Sequence, residues 1–300
     1  MALGGARRGT PRSKHGARAR VPSFSAGPAV HLPAFRNNRA IGQADFSEET
    51  AVTILSSSST ESTPKSTLGS FPRGGVAIVF GASGGIGGGF VERLRCIDCF
   101  EQVLGFSRKS SPSIDLLDEA SLQRAATLAA AGGQIRLVVD ATGFLHDERQ
   151  RPEKSWRELD SANLMRAFAL NAIGPALIMK HVLPLLPRTG KAVFATLSAR
   201  VGSIGDNQLG GWYAYRASKA ALNQLVRTAA VELARRAPEA ICIALHPGTV
   251  ATALSAPFSA TGLEVHTPEA AAGHLLAVID SLTAADSGGF FDWRGHPVPW

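Results

Sequence analysis

VAIVFGASGGIG, residues 76–87, is an apolar run followed directly by a glycine-rich loop. An unbroken apolar run is typical of a strand that is buried on both faces, as in a parallel sheet. The glycines permit a tight turn and a close approach of the backbone to a bound group. A helical pattern follows, and the amide groups of a helix N-terminus attract anions. The stretch therefore predicts a strand, a turn and a helix that hold the pyrophosphate of a dinucleotide.

The spacing of the glycines fits two related patterns, G-x-x-x-G-x-G and G-x-x-G-x-x-G, because Gly84 is also present. A flexible glycine linker is disfavoured by the strand pattern before the loop and the helical pattern after it. We predict that the loop contacts the dinucleotide through Gly81, Ser83, Gly84, Gly85, Ile86 and Gly87.

Short apolar runs alternate with longer helical patterns from Val76 onward. The strand candidates are residues 76–80, 102–106, 135–140, 191–197 and 241–245. The helical patterns cover residues 87–95, 118–131, 161–186, 213–236 and 268–282. This alternation predicts an α/β protein with a single Rossmann-type doubly wound parallel sheet and helices on both faces.

The basic residues are concentrated at the N-terminus. Residues 1–44 contain eight of the 31 Lys and Arg residues and no Asp or Glu, which leaves 23 basic against 24 acidic side chains in the rest. A near-neutral folded body has no source for a basic groove, so we predict no nucleic-acid partner. RNA or membrane binding through the basic start is a weaker hypothesis, which deletion of residues 1–70 would test.

The Arg-rich, acid-free start is typical of an organelle transit peptide. We predict a transit peptide over 1–45, a disordered linker rich in Ser and Thr over 46–73, and one folded domain over 74–300. The Met-Ala start favours the chloroplast. The alternatives are the mitochondrion, or the cytoplasm if the extension is unstructured or the start is wrongly assigned.

No apolar run approaches the roughly 20 residues that a membrane helix needs, so we predict no membrane partner. The chain has three cysteines, which give no disulfide framework. Cys96 and Cys99 form a C-x-x-C, but they fall where the first helix should end, and a helix C-terminus raises a thiol pKa. Because a zinc site would need two more ligands nearby, we predict no metal.

The residues after the next two strand candidates predict the rest of the dinucleotide site. Ser107 and Arg108 follow the second candidate, and no carboxylate competes at 105–109. A hydroxyl with an arginine accommodates a 2′-phosphate, which favours NADP(H) over NAD(H). Asp115 is predicted to meet the adenine amino group. The segment DATG at 140–143 is predicted to run along the nucleotide through Ala141, Thr142 and Gly143.

Tyr215 and Lys219 are four positions apart in a helical pattern, so their side chains project from the same helix face. An ammonium beneath a phenol stabilises the ionised form of the phenol. The pair is therefore predicted to transfer a proton. Together with a dinucleotide loop it indicates hydride transfer.

Residues 74–300 resemble the short-chain dehydrogenase/reductase family. The resemblance rests on the glycine loop, the Tyr215 and Lys219 pair, NAIGP at 171–175 and PGTVAT at 247–252. The stretches SARVGSIG, GGWYAY and GFFD, at residues 198–205, 210–215 and 289–292, are similar to the branch of C-factor and sniffer-type carbonyl reductases. No region is left for the separate substrate domain, about 100 residues long, of extended members.

The resemblance implies that Tyr215 donates a proton to a carbonyl oxygen as NADPH delivers hydride to the carbon. Lys219 would bind the nicotinamide ribose and, with the nicotinamide, lower the pKa of the phenol from ~10 to about 7. Asn171 would hold a water that links the lysine to solvent. Thr252 would contact the nicotinamide carboxamide, and further cofactor contacts would come from Pro247, Gly248 and Val250.

The chain departs from the family at the serine that polarises the substrate carbonyl. Family members commonly have Ser-Ser-x-x-Gly there, and the second serine position is Ala199. Ser198 replaces it only if the strand end bulges or the register shifts, and Ser203 only if the loop folds back. We favour Ser198. If no hydroxyl is present, loss of an oxyanion donor costs about 10²-fold in rate.

The sequence therefore supports two main hypotheses. The first is an NADPH-dependent reductase of a small aldehyde or ketone with an apolar portion, whose substrate loop at 251–266 contains Leu254, Pro257, Phe258 and Leu263. The second is a catalytically weak or inactive NADP(H)-binding sensor or signalling protein of the C-factor type. The family's habit of pairing last strands and long helices predicts a homodimer or homotetramer, and docking of the aromatic C-terminus on its own domain is the alternative.

Overall fold

The structure is a computed structural model that describes residues 67–255, 257 and 264–300. These residues all fall within one compact unit, Ser59–Trp300. The predicted transit peptide over 1–45 lies outside the described residues, as does the predicted linker up to residue 66. Part of the predicted substrate loop, including Phe258 and Leu263, also lies outside them.

Eight strands are described, and six of them form one parallel sheet in the order β2-β1-β3-β4-β5-β8. β6 and β7 form a separate parallel pair. The strands are β1 (Val76–Phe80), β2 (Gln102–Phe106), β3 (Ile135–Asp140), β4 (Ala192–Leu197), β5 (Ala240–His246), β6 (Thr249–Val250), β7 (Val265–His266) and β8 (Phe290–Asp292).

Six α-helices connect the strands of the described chain. They are α1 (Gly85–Arg95), α2 (Glu119–Ala131), α3 (Ser161–Phe168), α4 (Gly174–Val182), α5 (Tyr213–Arg236) and α6 (Pro268–Ser281). A π-helical segment, Ala169–Ile173, joins α3 to α4 without a break in the helical path. A 3-10 turn, Leu183–Leu185, extends α4, so the predicted long helix over 161–186 is confirmed as a composite of four pieces.

Alternate side chains of the strands belong to two separate hydrophobic cores. Ile78 and Phe194 belong to the core that also contains residues of α2, α4 and α5. Val79 and Val193 belong to the core that contains residues of α1 and α6. Because successive side chains of a strand point to opposite faces, the two cores lie on opposite sides of the sheet. The predicted doubly wound sheet with helices on both faces is confirmed.

Helix starts follow the side-chain signals in the sequence. Asp118 accepts a hydrogen bond from the Ala120 amide at the start of α2. Thr267 accepts one from the Ala270 amide at the start of α6, with Pro268 at the first helical position. These caps satisfy amides that have no partner inside the helix.

The packed chain begins earlier than the predicted boundary near Gly74. Leu68 is only 1% exposed and lies with Phe71 in the core against α6. The Ser70 hydroxyl donates to Asp280 Oδ1 at 2.6 Å, and Lys191 Nζ donates to Ser70 Oγ at 2.8 Å. Residues 67–73 are therefore part of the folded body, and their assignment to the linker is wrong.

The helical stretch Ser161–Leu185 is long and apolar enough, by length and composition, to cross a membrane, and 39% of its most apolar window is buried. The expectation that no stretch reaches that length is therefore wrong. The core helix of a soluble protein passes the same test, and this stretch packs against α5, α2 and β3. It is weak evidence for a membrane span.

The C-x-x-C pair lies where the sequence placed it, at the end of α1. Cys96 is the exposed C-terminal cap residue of that helix, whereas Cys99 is buried. Burial raises the pKa of the Cys99 thiol. Within the part of the chain that the structure describes, no group of three His, Cys, Asp or Glu side chains is placed to hold a metal ion.

Candidate active site

The carboxyl ends of β1 and β3 form the centre of the candidate site. The chain leaves β1 towards β2 on one side of it, whereas β3 lies on the other side. This reversal of strand order opens a crevice in which parallel α/β sheets bind ligands. The glycine loop follows β1, and the segment 141–143 follows β3.

The glycine loop turns sharply and packs tightly against the start of α1. Gly81 has a φ of +81°, a conformation that side chains disfavour. Its amide donates to the Phe106 carbonyl at 2.8 Å, which ties the loop to the end of β2. A Cβ atom on Gly87 would collide with the Gly81 carbonyl. The predicted roles of both glycines in the turn are thus explained by backbone contacts.

The N-terminus of α1 has the features required to bind an anion. Its cap residue, Gly84, offers no side-chain hydrogen bond, and the first turn contains no acidic side chain. Ser83, Gly84 and Gly85 are exposed. The first amides therefore remain available to a pyrophosphate, and Ile86 continues the same turn. A Cβ atom on Gly85 would lie 2.9 Å from Thr252 Cγ2, so Thr252 borders the same loop.

The loop after β2 supplies hydroxyl and basic groups. The Ser107 amide donates to Ser110 Oγ at 2.8 Å, and Ser107 Oγ accepts from the Lys109 amide at 3.0 Å. Arg108 is exposed beside them. Asp115 is exposed, and its Oδ1 accepts from the Leu117 amide at 2.9 Å, which leaves Oδ2 available to a ligand.

Tyr215 and Lys219 lie on one face of α5 and close to each other. Lys219 Nζ is 5.9 Å from the centre of the Tyr215 ring, and it donates to the Leu197 carbonyl at 2.7 Å. Burial lowers the pKa of Lys219 to about 8, although the Asp140 carboxylate acts in the opposite direction. The packed surroundings of Tyr215 raise the pKa of its phenol to about 12, while an edge of the side chain stays accessible.

The resemblance implies a lowered pKa for the Tyr215 phenol, but the protein groups around it raise that pKa. Burial removes water from the phenol and disfavours the phenolate, even with Lys219 Nζ 5.9 Å from the centre of the ring. Tyr215 therefore retains its proton at neutral pH, which is the state that a proton donor requires.

Asn171 connects the loop after β3 to the helix that carries Tyr215. It is fully buried in the π-helical segment. Its Oδ1 accepts from the Phe144 amide at 2.7 Å, and its Nδ2 donates to the Phe144 carbonyl at 2.8 Å and to Ser218 Oγ at 3.0 Å. A Cβ atom on Gly143 would lie 3.6 Å from Lys219 Nζ and 3.7 Å from Asn171 Oδ1. Gly143, Asn171 and Lys219 therefore converge at one place.

The hydroxyl groups of both candidate serines have hydrogen-bond partners other than Tyr215. Ser198 is buried, and its Oγ donates to Asn223 Oδ1 at 2.6 Å. Asn223 lies eight positions after Tyr215 in α5, which is about 12 Å along the helix axis. Ser203 is also buried, and its Oγ accepts from the Asp206 amide at 3.1 Å. Ala199, at the end of β4, is partly exposed.

The segment after β5 folds over the glycine loop. Pro247 is partly exposed, and Gly248 has a φ of +78°, where a Cβ atom would lie 2.9 Å from Trp293. Val250 is buried in β6, so its side chain supports the segment rather than facing the crevice. His146 Nε2 lies 3.0 Å from the Leu254 carbonyl, which joins this segment to the loop after β3.

Glu153 is a site residue that the sequence analysis missed. It is only 2% exposed, and its Oε2 accepts from the Ala214 amide at 3.1 Å, 61 positions away. Its backbone carbonyl accepts a hydrogen bond from the Trp212 amide. Trp212 is the N-cap residue of α5, has a φ of +52° and makes no side-chain capping hydrogen bond. Glu153 thus caps the helix of Tyr215 from a remote loop, and no local sequence signal marks it.

A helix N-terminus prepared for a pyrophosphate lies beside a tyrosine and a lysine that can pass a proton. This combination defines a dinucleotide-dependent oxidoreductase. Comparison with known proteins agrees, because residues 101–277 match the family model described as enoyl-(acyl carrier protein) reductase.

Three individual proteins are similar to this chain in sequence or in fold. C-signal of Myxococcus xanthus is 40% identical over 143 residues, which cover 48% of this chain and 82% of that protein. An NADPH-bound carbonyl reductase from chicken fatty liver is 26% identical, with a TM-score of 0.67 over 76% of this chain and 95% of its own. The carbonyl reductase Sniffer of D. melanogaster, 22% identical with a TM-score of 0.65, shares the fold over 76% of this chain and 100% of its own. The chain therefore belongs to the short-chain dehydrogenase/reductase family, and within it is similar to C-signal.

The cap supplied by Glu153 leads to a stability prediction. Glu153→Ala leaves the Ala214 amide without its acceptor, so we expect a loss of about 1–2 kcal/mol in the free energy of unfolding. Glu153→Gln keeps an acceptor oxygen and should recover part of that loss. Glu148→Ala, a change at an exposed glutamate in the segment before Glu153, is the control. Urea denaturation measures all three, and equal stability of the two alanine variants would contradict the cap.

Proposed function

We propose that the protein is an NADPH-dependent oxidoreductase that reduces the carbonyl group of a small aldehyde or ketone to an alcohol. The observation that carries the proposal is the phenol of Tyr215, which is protonated, partly accessible and adjacent to Lys219. It lies beside the crevice at the carboxyl ends of the strands. The similarity to a carbonyl reductase supports the choice of substrate class.

Three residues of the chain have a defined part in this proposal. A nicotinamide bound in the crevice would supply the hydride. Tyr215 holds the proton at its Oη and donates it to the substrate oxygen. Lys219 keeps a positive charge near the phenolate that remains. Asn171 fixes the loop after β3 against the helix of Tyr215.

The preference for NADPH rests on Ser107 and Arg108. Both lie at the end of β2, and residues 105–109 contain no carboxylate that would repel a 2′-phosphate. Arginine recognises phosphate through its planar fork of donors. The similar chicken carbonyl reductase has NADPH bound, which supports the same preference here.

The proposed mechanism differs from that of the family at the serine that polarises the substrate carbonyl. Ser198 would act on the carbonyl only after its hydroxyl leaves Asn223, and Ala199 offers no hydroxyl. Tyr215 then carries most of the interaction with the substrate oxygen. Loss of one such donor costs about 10²-fold in rate, so turnover slower than in relatives with both groups is consistent with the proposal.

The test is NADPH oxidation over a panel of aromatic, aliphatic and quinone carbonyls, with NADH as the cofactor control. We expect turnover with NADPH that falls at least about 10²-fold in Tyr215→Phe, because the general acid is lost. Tyr213→Phe is the matched control, since these are the two tyrosines of the chain. Equal activity of the two variants would contradict the role of Tyr215.

The relative C-signal favours a second candidate function, an NADP(H)-binding sensor with weak or no catalysis. The absence of a serine at position 199 is consistent with it. The same experiment separates the two functions. Tight NADPH binding by fluorescence, without turnover of any carbonyl by the unmodified protein, would favour the sensor.

We further propose that the protein forms a homodimer or homotetramer through α4 and α5. An apolar groove between these helices is lined by Met179, Leu183, Leu225 and Leu233, among others. We expect light scattering to give at least twice the mass of one chain. Leu225→Glu should lower that mass, because a carboxylate buried without a partner is costly. Leu209→Glu, on a loop that is 91% exposed at this residue, is the control. A monomeric unmodified protein would contradict this assembly.

We propose that residues 1–45 direct the protein to an organelle, with the chloroplast favoured over the mitochondrion. The support is the arginine-rich start, which has no acidic residue before Asp45. We expect a fluorescent reporter fused to these residues to enter the organelle. Replacing the seven arginines of residues 1–44 by glutamine should leave the reporter in the cytoplasm. Cytoplasmic fluorescence of the unmodified fusion would contradict the proposal.

A further inference from the structure

Asp140 is a carboxylate with no exposure to solvent, at the last position of β3. Its Oδ1 accepts from the Thr142 amide at 3.0 Å and from Thr142 Oγ1 at 2.6 Å. Its Oδ2 accepts from Thr196 Oγ1 at 2.7 Å. Three donors therefore converge on this carboxylate. Burial is the larger effect and raises the pKa of Asp140, whereas these hydrogen bonds and the charge of Lys219 act to keep the carboxylate ionised.

The strand register brings Asp140 to the same end of the sheet as Lys219. Asp140 pairs with Thr196 across β3 and β4, and Thr196 is followed by Leu197. The Leu197 carbonyl accepts the hydrogen bond of Lys219 Nζ at 2.7 Å. The turn after Asp140 also approaches the ammonium, because a Cβ atom on Gly143 would lie 3.6 Å from Nζ. The carboxylate and the ammonium therefore both lie at the ends of these two adjacent strands.

The remaining neighbours of the ammonium are uncharged at neutral pH. Tyr215, on the same helix, retains its proton, and Asn171, from the π-helical segment, is an amide. Asp140 is the charged group that acts on Lys219. A buried lysine without an opposite charge nearby loses its proton easily, because burial disfavours the charged form.

We propose that Asp140 is the buried counter-ion of Lys219 and keeps its ammonium charged beside Tyr215. Asp140 is a positioning residue, since it acts on the reaction through Lys219. Thr142 and Thr196 help to keep Asp140 ionised, because both donate hydrogen bonds to its carboxylate. The effect on turnover rests on the proposed reductase function, but the charge of Lys219 can be measured without turnover.

The direct test is an NMR titration of the full chain with ¹³Cε-labelled lysine, in which Lys219→Arg assigns the signal. Asp140→Asn keeps the size of the side chain and removes its charge. We expect the titration midpoint of Lys219 to fall by about 1 pH unit or more. Lys191 is an internal control, because its pKa is also lowered to about 8 but its charged neighbours are Asp280 and Asp286. Its midpoint should stay unchanged.

Thr196→Val provides a second variant that retains Asp140 and removes one of its hydrogen bonds. The carboxylate is then less stable in the ionised form, so we expect a smaller fall of the Lys219 midpoint in the same direction. This variant decides the matter if Asp140→Asn does not fold. An unchanged Lys219 midpoint in the folded variants would overturn the inference.

A kinetic measurement separates this inference from the proposed function. In the reduction direction, kcat/KM should decline as pH rises through the pKa of Lys219, because the ammonium becomes neutral. Asp140→Asn should move this decline to lower pH. If the unmodified protein turns over no carbonyl, the reductase proposal fails, while the lysine titration still decides the role of Asp140.

Discussion

The site depends on keeping a positive charge inside the protein. Lys219 must be buried to lie next to Tyr215, and burial works against its charge. Two groups counteract this effect of burial. The Leu197 carbonyl at the end of β4 accepts a hydrogen bond from Lys219, and the Asp140 carboxylate at the end of β3 supplies the opposite charge. Both are available because parallel strands end at the same edge of the sheet. The catalytic pair therefore requires the sheet edge as well as its own helix.

The helix that carries the pair is held by segments that are distant in sequence. Glu153 caps its first turn, and Asn171 bonds to Ser218 one residue before Lys219. Asn171 lies in the π-helical segment, and such irregular turns are common at functional sites. These contacts fix the start of α5 relative to the loop after β3. The chemical end of the site is thus built mainly from long-range contacts.

The dinucleotide end combines local and long-range contacts. The Gly84 amide donates to the Gly81 carbonyl within the loop, whereas the Gly81 amide donates to the Phe106 carbonyl at the end of β2. The departure from the family pattern lies at the chemical end, where position 199 is Ala and the Ser198 hydroxyl is directed to Asn223.

The sequence by itself determined the five long strands, the helices and the i,i+4 pair of Tyr215 and Lys219, because these follow from periodicity and local spacing. It missed β6, β7 and β8, which have only two or three residues each and carry too little pattern. It also placed residues 67–73 in a linker, since two apolar side chains have no recognisable period.

Only the tertiary structure decided the protonation of the site. The sequence predicted a depressed pKa for Tyr215, whereas the packed protein raises it to about 12. It could not assign Glu153 or Asp140 a role toward α5, because the partners lie 61 positions away in one case and on neighbouring strands in the other. Solvation and charge depend on every atom packed around a group, and that environment exists only after the chain has folded.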